Sequence, residues 1–367
     1  MRLAVVTADW PGTTGGGVAA LTSTLADGLS AAGHDVEVWT RGGGRRDALL
    51  RTEDRGYPVR GLPGRAWRRR GDVHWSRGLP ALLAAFRPDA AIVSTWDPLP
   101  GALGPLSTLG RPLRVFAHGR DITGDPGADR RDARAAALRG PHRWFCLTAW
   151  MTAQLTSRGV APSRVLRVPA AVPGPSVDGP RRPEPGQLLS VGRLVPRKGQ
   201  DALLGAVAQL PAHVRLDVVG EGPDRARLAR LVESLGLGDR VRLHGHVPRP
   251  RLEELWSRAA LFALPVRDEP EGDAEGYGLV FLEAAARGLP AVGGRVSGAA
   301  EAIVHGETGL LVDAPEDSEQ VALALRSLLD DAPTAAAMGA RGRERWLAVG
   351  QPEALAGAVF RDLEENR

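Results

Sequence analysis

Short apolar runs and longer stretches with helical spacing alternate along this chain from end to end. Residues 2–7 form an apolar run that predicts a buried strand. After a glycine-bearing turn, residues 18–32 set Leu21, Leu25 and Leu29 on one helical face, and the pattern stops at Gly33. Residues 34–40 return to a strand pattern. Strand, glycine-rich turn, helix, strand is the opening of a parallel α/β sheet. The same reading predicts a helix over 79–86 and strands over 89–95, 113–117, 144–148 and 164–168.

Proline and glycine then crowd residues 173–186, which predicts a linker. Beyond it the pattern repeats. Strands are expected over 188–191, 215–219, 241–243 and 261–265, and helices over 201–210, 224–235 and 251–259. The chain thus reads as α/β, with two doubly wound Rossmann-like domains at 1–172 and 187–367. Helices near the C-terminus are free to pack back on the first domain. A cleft between two such domains is the default ligand site.

Composition narrows the class. A chain of 367 residues has room for two domains, and its 43% hydrophobic and 25% charged residues are those of a soluble globular protein. No run of about 18 apolar residues is present, and the N-terminus lacks a signal-peptide layout. A lone cysteine, Cys146, excludes an internal disulfide. These features point to the cytoplasm. The formal charge of +4 hides a basic first half and an acidic second half. The basic excess gathers between Arg41 and Arg77, where 11 arginines meet 4 acids around Trp67 and Trp75. Such a segment suits the phosphates of a membrane surface, an acidic acceptor or nucleic acid, or is a solvated loop; a membrane stay would be peripheral, on the inner face. No nucleic acid is expected as partner, and the oligomeric state is not legible.

Candidate chemistry centres on residues 188–201, a strand followed by Gly192, Arg193, Lys198 and Gly199 before a helix. Lys198 is the sole lysine; the other 46 basic residues are arginine. A chain so biased would keep lysine where a compact point charge is needed and a planar fork does not fit. Backbone amides, helix dipole and cations together suit a diphosphate. Gly16 and Gly17 let backbone approach a ligand at the first helix. His118 stands at the carboxyl end of a strand, where open α/β sheets gather ligands. Glu275 and Glu283 lie eight apart across a loop-to-helix junction, with Gly276 and Gly278 exposing amides at its start. Phosphate beside polyhydroxyl describes a sugar nucleotide.

The ordered set Gly15-Gly16-Gly17, His118-Gly119, Val191-Gly192-Arg193 with Lys198-Gly199, Gly220-Glu221-Gly222-Pro223 and Glu275/Glu283 resembles the retaining glycosyltransferases of GT-B family 4. That family is typified by sucrose synthase, glycogen synthase and the phosphatidylinositol mannosyltransferases. Residues 195–201 look most like its actinobacterial mannosyltransferases. The resemblance implies that Arg193 and Lys198 hold the diphosphate, helped by Gly192. It gives the amides of Gly276, Tyr277, Gly278 and Leu279 to donor phosphate and sugar, Glu275 to the sugar hydroxyls and Glu283 to the ribose. The base would lie against His246 and Val247, His118 would touch the donor sugar, and Gly16 and Gly17 the phosphate or acceptor.

The resemblance further implies transfer of a mannose- or glucose-type hexose, with retention, from a GDP- or UDP-sugar. The acceptor would be a small-molecule or lipid hydroxyl. Neither cofactor nor metal is implied, since cations do the electrostatic work. Two departures stand out: Ser297-Gly298-Ala299-Ala300-Glu301 where relatives often carry two glycines before a glutamate, and an acidic loop over 268–273. The acidic loop suits a cationic acceptor of aminocyclitol type; the basic segment suits a lipid phosphate. A nucleotide-sugar hydrolase or epimerase, or a non-catalytic binding protein, is the competing reading.

Overall fold

The structure is a computed structural model that describes the chain except residues 12–15, 42–54, 63–70, 97–101, 103–104, 109, 177–180, 271 and 367. It divides into two compact units.

The first unit comprises Met1–Ala171 and Pro352–Arg367. Its strands are β1 (Arg2–Val6), β2 (Asp35–Arg41), β3 (Val59–Leu62), β4 (Ala90–Val93), β5 (Leu113–Ala117), β6 (Arg143–Cys146) and β7 (Val165–Arg167). They form one parallel sheet in the order β3-β2-β1-β4-β5-β6-β7. The central strands β1 and β4 are almost wholly apolar because both faces of a parallel sheet are covered. The helices among its described residues are α1 (Gly17–Ala31), α2 (Gly71–Phe86), α3 (Arg120–Thr123), α4 (Ala128–Arg139) and α5 (Ala149–Ser157). Cys146 is buried in the core among them.

The second unit comprises Val172–Gln351. Strands β8 (Gln187–Val191), β9 (Arg215–Val219), β10 (Val241–Gly245), β11 (Leu261–Leu264), β12 (Ala291–Gly294) and β13 (Gly309–Val312) run parallel in the order β10-β9-β8-β11-β12-β13. Helices α6 (Gln200–Gln209), α7 (Arg225–Ser234), α8 (Arg249–Arg258), α9 (Leu279–Ala286), α10 (Ser318–Leu329) and α11 (Ala332–Val349) surround them. Strand order reverses between β1 and β4 in one sheet and between β8 and β11 in the other. Those are the switch points beyond whose carboxyl ends such sheets take ligands.

A last helix, α12 (Pro352–Glu365), belongs to the first unit and packs along α1. Gly28 of α1 permits the approach: a Cβ there would lie 2.7 Å from the carbonyl oxygen of Pro352. Asp362, 4% exposed, is gripped by Arg114 of β5 and Arg143 of β6.

Three sequence expectations need correction. The helix expected over 79–86 begins at Gly71 and runs through Pro80, which reads as a helix boundary from sequence. Strand β3 falls in the stretch read only as basic, most of which, with Trp67, lies outside the described residues. Of the segment 173–186, expected as a linker, residues 181–184 are tied to the second unit. Arg182 and Glu184 donate backbone N–H bonds to the Ser257 and Arg258 carbonyls at 3.0 and 2.8 Å, and Arg181 donates to the Gly288 carbonyl at 2.7 Å. Among the described residues no helix is long and apolar enough to cross a membrane.

Candidate functional site

In the second unit the loops that follow β8 and β11 meet at the switch point. The chain leaves β8 through Gly192 and Arg193, makes a 3₁₀ turn at Pro196–Lys198, and enters α6 after Gly199. Gly199 has φ +68°, and a Cβ there would stand 2.0 Å from the Pro265 carbonyl oxygen, so no larger residue fits between the loops. The backbone N–H of Arg267 donates to the Arg197 carbonyl at 2.8 Å, and the Arg267 guanidinium takes Asp201 at 2.9 and 3.2 Å.

This clamp brings Lys198 and Arg197 together on one carboxylate, that of Glu275. Arg197 also reaches Asp273 at 3.1 Å. Burial pushes the Glu275 carboxyl up, but the two cations outweigh it and hold the group down at about 2. Burial pulls the Lys198 ammonium below its ordinary value; Glu275 raises it and the neighbouring arginines lower it. Arg193 is exposed, and its side chain has no hydrogen bond or ion pair among the described residues. Lys198 and Arg197 thus share Glu275, Arg197 also has Asp273, and Arg193 nearby has no acid among the described residues, so three cations face two carboxylates. The surplus is positive, and an anion is the missing partner.

Of the residues expected here, Lys198 and Glu275 are brought together, while Arg193 stands apart as an open donor. Arg197 was given no role from sequence. A tight turn puts adjacent side chains on one carboxylate, and no periodicity marks that. A Cβ on Gly192 would sit 3.8 Å from Lys198 Cε, an ordinary contact, so the glycine leaves space beside the ammonium.

Helix α9 starts after Gly278, which has φ +80° and no side-chain cap. Its first amide bond runs from Phe281 to the Gly278 carbonyl, so the N–H groups of Gly278, Leu279 and Val280 are unpartnered among the described residues. Tyr277 is buried. Gly298 presses on this turn: its N–H donates to the Glu275 carbonyl at 3.0 Å, and a Cβ on it would meet the Gly276 carbonyl oxygen at 1.9 Å. The variant sequence at 297–301 therefore still supplies the glycine the turn requires.

Glu283, within α9, makes no side-chain hydrogen bond among the described residues, and burial raises its pKa. Arg287, one turn along, is committed to Glu253 at 2.6 and 3.1 Å. Loop residue His246 is exposed, with its N–H donated to Glu221 at 3.1 Å, and Val247 is partly buried beside it. Two of the acidic loop's carboxylates are ion-paired, Glu269 with Arg267 at 2.9 Å and Asp273 with Arg197, and exposed Asp268 accepts from the Ser297 hydroxyl at 2.6 Å. That removes the argument for a cationic acceptor from Glu269 and Asp273, while Asp268 stays an exposed anion; Glu271 lies outside the described residues.

In the first unit, His118 follows β5. Its Nε2 lies 2.7 Å from the Ser94 carbonyl oxygen, which can only accept, so Nε2 carries the proton and Nδ1 is an acceptor. Burial drives the imidazole down to about 4, leaving it neutral near pH 7. The Ser94 hydroxyl donates to Thr7 Oγ1 at 2.8 Å, tying the ends of β1, β4 and β5; sequence reading missed Ser94. Gly16, with φ +124°, precedes α1, and the amides of Gly17–Ala19 are unpartnered among the described residues. Gly15 lies outside them.

Residues 16–171 match the glycosyl transferase 4-like domain, and residues 177–345 match glycosyl transferases group 1. Over 161 residues the chain is 42% identical to the GDP-mannose-dependent α-(1-6)-phosphatidylinositol monomannoside mannosyltransferase of Mycobacterium tuberculosis, covering 43% of this chain and 42% of that protein. The matched part spans about two fifths of the length of that relative. The solved sucrose-phosphate synthase of Thermosynechococcus elongatus has a TM-score of 0.82 at 23% identity, over 100% of both chains. HepE of Anabaena, solved with UDP and glucose, has a TM-score of 0.80 at 18% identity, again over 100% of both. At those identities the likeness is one of fold, the GT-B arrangement of two parallel-sheet α/β domains.

Proposed function

Because the chain belongs to the glycosyltransferases built from these two domains, a 4-like domain followed by a group 1 domain, we propose that it transfers a hexose from a nucleoside-diphosphate sugar to an acceptor hydroxyl. The observation that carries this reading is the loop where Lys198 and Arg197 meet Glu275 and Asp273 while Arg193 is left without an acid among the described residues, beside the uncapped N-terminus of α9. Lys198, Arg197 and Arg193 neutralise the diphosphate as it leaves, and the amides of Gly278–Val280 support its oxygens. The anomeric carbon–phosphate oxygen bond breaks on the face where the acceptor oxygen bonds, and the leaving phosphate takes the acceptor's proton, so configuration is retained. His118 Nδ1 accepts from a sugar hydroxyl. These cations serve in place of a divalent metal.

The relative's GDP-mannose dependence supports mannose from GDP-mannose as donor. The ion pairs that take Glu269 and Asp273 weaken the case for a cationic acceptor and favour a lipid-phosphate one. A peripheral stay on the inner membrane face through Arg41–Arg77 accords with that acceptor. The test is donor consumption with GDP-mannose and UDP-glucose, with and without phosphatidylinositol mannoside. Consumption that depends on acceptor supports transfer; equal consumption without it points to the hydrolase.

The two glutamates have separate duties in this reading. Glu283 grips the ribose and works ionised, so affinity for the nucleoside diphosphate should fall as pH drops through its raised pKa and level off above it. In Glu283→Gln the diphosphate should bind about 1–3 kcal/mol more weakly at neutral pH, and this pH dependence should flatten. Glu275→Gln frees two cations, so diphosphate affinity should hold while kcat for the sugar nucleotide falls. Calorimetry across pH, beside kcat, decides it; normal diphosphate affinity in Glu283→Gln would remove the ribose assignment.

A further inference from the structure

At the amino ends of the second sheet, the edge opposite Lys198, lies a cavity of about 270 Å³. The residues just before β8, β9, β11 and β12 line it: Gly186, Val214, Ala260 and Pro290. Leu210, Leu328, Leu329 and Ala335 give it an apolar wall where α10 passes into α11. Its charged groups are Arg181, Arg326, His213 and Asp330.

Arg181 is the unusual member. Its Nη1 donates to the Gly288 carbonyl and its Nη2 to the Ala259 carbonyl, while Nε is buried without a partner. Among the described residues no carboxylate pairs with it, and burial alone brings its pKa down to about 10. Arg287, Arg267 and Arg197 of this unit have acids, Glu253, Asp201 and Asp273, whereas Arg225, like Arg181, bonds a carbonyl and keeps one buried nitrogen without a partner. An enclosed charge without a counter-ion is costly, and proteins normally pair it. Here Arg181 lines a largely apolar cavity, and Asp330 in the same lining does not pair with it.

We propose that this cavity binds a small amphipathic anion, its apolar body inside and its carboxylate against Arg181. At roughly 30 Å³ per water-sized atom the space holds about nine such atoms, enough for the eight-carbon body of octanoate with its carboxylate at the mouth. The site is separate from the donor loops and does not depend on the transfer reaction.

Calorimetry on the full chain with octanoate, 1-octanol and octylammonium tests this. Octanoate should bind once per chain and at least about tenfold more tightly than either analogue, a tenfold difference being about 1.4 kcal/mol. Arg181→Gln should bring octanoate down to the level of 1-octanol. Ala335→Leu, which fills the wall and leaves Arg181 in place, should weaken octanoate and 1-octanol together. No saturable octanoate binding, equal binding of octanoate and 1-octanol, or wild-type octanoate affinity in Arg181→Gln would each overturn the proposal. Should Arg181→Gln fail to fold, the ligand comparison on the unaltered chain and on Ala335→Leu decides.

Discussion

Lys198→Ala should lower transfer by about 10²-fold or more while the protein stays folded. The size is that of one positioned charge lost from a developing anion, here the departing diphosphate. Survival of the fold follows from Glu275, which keeps Arg197 when the ammonium goes and so is not left a bare buried carboxylate. Lys198→Arg should fail to restore the rate. Lys198 is 8% exposed, its ammonium shares Glu275 with Arg197, and a planar fork does not reproduce a compact point charge held on one carboxylate. Single-turnover kinetics and a melting curve on both variants separate catalysis from stability. Wild-type rates in the arginine variant would overturn the point-charge reading.

Asp362→Ala should have the largest effect on stability. It leaves Arg114, itself 4% exposed, and Arg143 without their shared carboxylate. Removing one partner of a buried ion pair costs about 3–5 kcal/mol, because the other charge stays enclosed and uncompensated. Melting of the first unit should fall by about 6 °C or more. Hydrogen exchange should accelerate in α12, β5 and β6 and stay unchanged in the second unit. Unchanged exchange in α12 would show that apolar packing on α1, not the ion triad, holds that helix.

Much of the fold was legible because parallel sheets write themselves in continuous apolar runs. Leu188–Val191 and Leu261–Leu264 need no partner to be recognised as buried strands. The C-terminal return was only a possibility, since the contacts of Asp362 join residues more than 200 positions apart. Within the candidate site, Lys198 stood out by its rarity, and Glu275 by its place before a glycine-flanked helix. Arg197 and Ser94 did not: one is an arginine among 46, and the other acts mainly through its carbonyl, which every residue has. The acidic loop misled in a different way. Sequence shows charges, while only the fold shows that Arg267 and Arg197 have already taken two of them.

The return of α12 to the first unit also bears on how the chain is made. Synthesis runs from the N-terminus, and domains generally fold as they emerge. The first unit cannot complete itself in that order. Its sheet is translated early, but the helix that shields α1 and neutralises Arg114 arrives only after residue 351. The second unit, contiguous from Val172 to Gln351, has everything it needs first. On the ribosome the later half should therefore close before the earlier one, and the nascent first sheet must wait with a cationic arginine and an uncovered helix face. A chaperone that shields α1 during that interval would act on one surface for a defined length of translation.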